Sequence, residues 1–167
     1  MKGSINFLFH LIGFGILFTA LVGGWILEQR VRSENDWDRK LYIGKINRRF
    51  GLLSPIASVI MLLTGVVNIF NLYSGAIHLW YTEGWLVAKI ILFAFLLVNG
   101  AFFGPVLIRR RTHLIQSIIE KKAPEDAEAT FNIMSKSIST FYLVQFLLLV
   151  IILYLSIVGT GKHTGFL

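Results

Sequence analysis

Residues 85–108 read WLVAKIILFAFLLVNGAFFGPVLI, an apolar run with one charge, Lys89. About 20 residues of helix cross roughly 30 Å of hydrocarbon, so the run has the length of one passage through a bilayer. In lipid each backbone N–H and C=O must find its partner inside the segment, which makes the run a helix. A barrel strand would alternate and need only about ten residues. Working outward, three more runs of the same kind cover residues 7–27, 50–73 and 137–158, the last emerging from a polar lead-in near Ser137.

The composition agrees. The chain has 167 residues, 55% of them apolar and 15% charged, where soluble domains carry about 25% charged residues. A chain this short has too little interior to hide so much apolar surface from water. The sequence therefore predicts an all-α polytopic membrane protein. It is a single domain over residues 1–167, a four-transmembrane-helix bundle with spans at about 7–27, 50–73, 85–108 and 137–158. The first run is expected to stay in the protein. Gly23-Gly24-Trp25 and the following Gln29-Arg30 lack a small-residue cleavage pattern, and the run exceeds a usual signal-peptide core.

Charge placement orients the bundle. Segment 28–49 holds Arg30, Arg32, Arg39, Lys40, Lys45, Arg48 and Arg49, and segment 109–136 holds Arg109, Arg110, Arg111, Lys121, Lys122 and Lys136. The remaining lysines are Lys2, Lys89 and Lys162. Both basic segments fall on one side, which the positive-inside rule assigns to the cytoplasm, giving an N-out/C-out topology. In a bacterium this is the cytoplasmic (inner) membrane. The formal charge of +7 is thus topological, and nucleic acid is not an expected partner.

The basic segments carry structure of their own. Leu114, Ile118 and Ile119 recur at helical spacing, extending helix three through His113 to Lys121. Pro124-Glu125-Asp126-Ala127-Glu128 suits a helix N-terminus that leads to helix four. Residues 35–38 read as a solvated turn, with Trp37 and Tyr42 at headgroup level. Tyr73, Trp80, Tyr81 and Trp85 form an outer aromatic belt.

An ionisable residue at membrane depth is costly and calls for a reason. His10 and Lys89 both fall roughly 6–8 Å below the outer interface. Asn68 lies at the same level, Asn71 just above it and Ser156 near it. Lys89 shares a helical face with Leu96, Gly100 and Gly104, and the G-x-x-x-G spacing turns that face into the bundle. Each residue also has a plain reading: an interfacial imidazole on a carbonyl, a snorkelling lysine, asparagines bonding between helices. Read together, the layer suits a pigment. Neutral imidazole is a good axial ligand to haem iron or to a chlorin's magnesium. Phe14, Phe93 and Gly13 would leave room for a flat macrocycle, with ordinary helix packing as their plain reading. Lys89 could be a second ligand or pair with a propionate. His78 and His163, in the outer loop and tail, are alternative ligands, and His113 belongs with headgroups.

No cysteine is present, which excludes disulfides and thiolate sites. The scattered Met1, Met61 and Met134 disfavour copper handling. No phosphate loop, dinucleotide fingerprint or H-E-x-x-H stands in the chain.

These residues also carry a resemblance. His10 in Phe9-His10-Leu11-Ile12-Gly13 is similar to the helix-one histidine of the HemJ and CopD-like membrane proteins. Basic residues, then Pro55, then Leu63-Thr64-Gly65 resemble their second helix. Gly84-Trp85-Leu86-Val87-Ala88-Lys89 resembles the G-W-L-x-A-K that opens HemJ helix three, with Val87 where the family often has histidine. The resemblance covers roughly residues 7–108 and implies a haem b site with His10 as ligand. It makes Lys89 the partner of that ligand or a catalytic group, in an oxidase converting protoporphyrinogen IX to protoporphyrin IX. The expectation is an integral membrane protein that binds haem b or a similar tetrapyrrole in the outer leaflet. Its cofactor-binding residues would be His10, Lys89, Asn68, Phe14 and Phe93. Its role would be redox or electron transfer, within a larger membrane complex or a homo-oligomer. The alternatives are the oxidase itself and a cofactor-free accessory subunit.

Overall fold

The computed structural model describes residues 2–73 and 77–164, with side chains described for 5–73 and 80–159. The elements are α1 (Lys2–Ser33), α2 (Trp37–Gly51), α3 (Leu53–Leu72), a 3-10 helix (Ile77–Thr82), α4 (Gly84–Val98), a π turn (Asn99–Phe103), α5 (Gly104–Ile119) and α6 (Ala127–Thr164). No strand occurs among the described residues. α2 runs into α3 with a break at Leu52, and α4 into α5 through the π turn, so the chain makes four rods. Each is long and apolar enough to cross a membrane. The fold is the all-α, four-spanning one that the apolar runs predict.

The rods outreach the runs at the basic end. Segment 28–49 is mostly α2, α5 continues to Ile119, and α6 starts at Ala127. What holds these extensions together is a small second core of Val31, Ile115 and Phe131, flanked by Trp37, Leu41 and Leu114. Trp37 stands edge-on to Phe131, ring centroids 5.2 Å apart, and Lys40 Nζ lies 4.6 and 4.3 Å from the two rings. Trp37 is half-buried and packs on Phe131. Tyr42 is exposed. Asp36 caps α2 by accepting from the N–H groups of Asp38 (2.8 Å) and Arg39 (3.4 Å). In the same turn Glu34 accepts from Asn35 and Asp36 N–H, which holds its carboxyl below the usual range. It favours the folded turn above ordinary carboxylate pH and loses that as pH falls through its lowered value.

Apart from the adjacent Ala20 and Leu21, buried positions recur at steps of three and four residues. On α1 they are Gly13, Leu17, Ala20, Leu21, Gly24, Glu28 and Val31; on α6 they include Phe131, Ser135, Ile138, Tyr142, Gln145, Leu149 and Ile152. That spacing sets one buried stripe, or seam, along each helix, facing its neighbours. The seam is rich in small and polar residues, while Leu63, Phe95 and Phe102 point outward. Between helices in lipid, close backbone approach replaces the hydrophobic drive. Gly24 and Gly104 show it, since a Cβ on either would stand 2.7 Å from a ring carbon of Tyr142 or Phe141.

α1 packs on α3, α2 and α6; α6 also packs on α4 and α5, and α2 on α5. α3 and α4 do not pack along each other. At the outer end they are linked through the 3-10 helix. An apolar cavity of about 190 Å³ lies there, lined by Val66, Ile69, Phe70, Trp80 and Ile90.

Candidate functional site

The outer polar layer is built where α1 and α3 come closest. Gly13 lets the helices meet, as a Cβ there would be 2.9 Å from Ile60. At that separation the short Thr64 side chain reaches the ring of His10, Oγ1 to Nδ1 2.7 Å. The Thr64 hydroxyl has a single proton, and it lies 2.6 Å from the Ile60 carbonyl oxygen, which can only accept. Its oxygen therefore accepts from Nδ1–H of His10. This fixes the imidazole as the tautomer with its lone pair on Nε2, and Nε2 has no hydrogen-bond partner among the described residues.

Of the other predicted residues, Asn68 is tied to this pair through Asn6. Asn68 accepts from Asn6 Nδ2 at 2.6 Å, and the same Asn6 nitrogen reaches the Thr64 carbonyl at 3.0 Å. Lys89, on α4, is half-buried, and no hydrogen bond or ion pair joins it to His10 among the described residues. Phe14 and Phe93 pack against the core cluster of Leu17, Leu96 and Leu149. Asn71 is exposed, and the Ser156 hydroxyl donates to the Ile152 carbonyl of its own helix at 2.8 Å. His113 is exposed on α5. The side chains of His78 and His163 lie outside the described residues.

A second polar network, not foreseen from the sequence, lies at the basic end. Arg111 Nη1 pairs with Glu28 Oε1 and donates to Ser135 Oγ at 3.3 Å, with both charged side chains fully enclosed. Tyr142 OH donates to Asn47 Oδ1 at 3.2 Å. Every rod contributes: Glu28 from α1, Asn47 from α2, Arg111 from α5, Ser135 and Tyr142 from α6. Glu28 and Arg111 count as loop charges if the apolar runs are taken as whole helices. The signal for them is spacing, since Glu28 stands four residues after Gly24 and Arg111 seven after Gly104. Farther into the bundle, Gln145 Nε2 donates to the Leu96 carbonyl at 3.2 Å, beside the π turn, where Gly100 leaves it space.

Among the described residues no three histidine, aspartate or glutamate side chains gather to hold a metal ion. What the outer layer offers is a single oriented imidazole nitrogen. Compared with protein-family models, with curated proteins and with solved structures, the chain matches none.

Proposed function

We propose that this protein binds haem b or a similar tetrapyrrole in the outer leaflet of a bacterial cytoplasmic membrane, where His10 would hold it, and serves in redox or electron transfer. The observation that carries this reading is the Thr64 clamp on Nδ1, which leaves Nε2 with its lone pair and no competing partner among the described residues. A lone imidazole is a poor holder of a bare metal ion. A macrocycle brings its own four nitrogens and asks the protein for only one or two ligands. The donor chemistry therefore fits. His10 is half-buried, and the cavities of about 190 and 360 Å³ are lined by other residues.

When bound, the group would supply a one-electron couple. The chain's own residues do the rest. Thr64 sets the tautomer and plane of the His10 ring, as partners of metal-bound histidines do. The bonds from Asn6 to Asn68 and Thr64 keep α1 and α3 in register at that level. A charged Lys89 would pair with a propionate, and in the oxidase reading it is the catalytic group. Phe14 and Phe93 stiffen the helices beside the site. Other subunits of a membrane complex, or further copies of this chain, would be the electron partners.

A second reading rests on one observation: the His10–Thr64 and Asn6–Asn68 bonds join the same two helices, which is what interhelical glue in an accessory subunit looks like. Titrating haemin into cofactor-free protein in detergent separates the two. One equivalent binding with a sharpened Soret band, lost in His10→Ala, supports the first reading. Binding that is absent, or indifferent to His10, supports the second. Anaerobic turnover of protoporphyrinogen IX by the loaded protein would assign the oxidase activity.

A further inference from the structure

At the basic end the acids keep to the turns, where cations accompany them, as Arg30 does Glu34 and Lys122 does Glu120. Apart from Glu28, enclosed with Arg111, the acids there are Glu34, Asp36, Asp38, Glu120, Glu125, Asp126 and Glu128, all at the two turns where the rods reverse. Nearer the membrane stand Arg48 and Arg49, in the last turn of α2, and Arg109 and Arg110, in the first turns of α5, which packs on α2. All four are exposed, and none joins an ion pair among the described residues. Along the helix, Asp38 to Arg49 and Arg109 to Glu120 are each about 16 Å, twice the screening length of physiological salt. A surface made only for solubility would mix the signs.

What adjoins these arginines on the membrane side is apolar and exposed: Leu52 and Leu53 after the α2 break, Phe102 and Phe103 before α5. Acidic heads with acyl tails match both surfaces at once, whereas free phosphate matches only the guanidinium groups. Guanidinium binds phosphate oxygens through paired N–H donors, more specifically than a lysine ammonium. The third arginine of the run, Arg111, is turned inward to Glu28, so the triplet divides between structure and surface.

We propose that Arg48, Arg49, Arg109 and Arg110 form a belt that binds the phosphodiester headgroups of anionic phospholipids in the cytoplasmic leaflet. The test is native mass spectrometry of the full chain in detergent with phosphatidylglycerol or phosphatidylcholine added. The wild type should retain phosphatidylglycerol over phosphatidylcholine by about tenfold or more. The variant R48Q/R49Q/R109Q/R110Q should lose that preference. A variant losing the same charge at the turns, R30Q/R39Q/K121Q/K122Q, should keep it. Equal retention of the two lipids by the wild type overturns the proposal. So does an equal loss in both variants, which would mean net charge alone is read. Displacement of the lipid by inorganic phosphate at matched concentration would reassign the belt to free phosphate and also overturn it.

Discussion

Thr64 decides which nitrogen of His10 faces outward to a ligand, so the first prediction belongs to it. Thr64→Val keeps the volume and removes the acceptor, and haemin affinity should fall about 10–100-fold, the usual effect of losing a metal ligand's supporting hydrogen bond. The titration reads this directly, and Thr64→Ser should restore most of it. Gly24 is another residue with one job. Gly24→Leu would drive its side chain into the Tyr142 ring, already 2.7 Å from an added Cβ, and should cost about 1–3 kcal/mol in unfolding from detergent. At this scale the sequence was partly legible. His10, Lys89 and Asn68 announce themselves as polar groups in apolar runs. Asn6 and Thr64 do not, because one precedes the apolar run and the other is an ordinary helix residue until its neighbour across the interface is known.

The helices themselves were legible where lipid selects them and less so beyond it. Apolar composition marks a span but is blind to which side faces inward, since lipid-facing Leu63 and Phe95 are as apolar as buried Leu17 and Leu96. The small and polar seam carries that information: Gly100 and Gly104 do face Gln145 and Phe141. α2 is hard to read as a helix because its run of arginines and lysines resembles a solvated loop, and its fully buried residues, Lys40, Gly44 and Asn47, are not large apolar ones. The end of α5 was foreseen within two residues, and its cap gives a prediction. Lys121 holds a left-handed conformation, φ 56°, that glycine adopts freely. Lys121→Gly should stabilise the protein by roughly 0.5–1 kcal/mol, visible as a higher midpoint in thermal unfolding.

Across the whole molecule, one enclosed ion pair at the basic end ties α1 to α5, with α6 bonded to it through Ser135. Removing one partner strands the other charge in a dry interior, so Glu28→Gln or Arg111→Met should each cost about 3–5 kcal/mol, while the double variant Glu28→Leu with Arg111→Met should recover most of it. Chemical unfolding in detergent measures all three. Reading this network from sequence would have required extending the seam past the apolar runs, where charge reads first as topology. Between it and the outer layer lies an apolar core that includes Leu17, Leu21, Leu96 and Leu149, so the two polar layers are separate devices. The most direct test of the outer one is a reduced-minus-oxidised absorption spectrum of the protein as purified from its own membranes. The account predicts a haem b α-band that is absent in His10→Ala protein of unchanged helix content; a colourless wild type, or a band that survives the substitution, would contradict it.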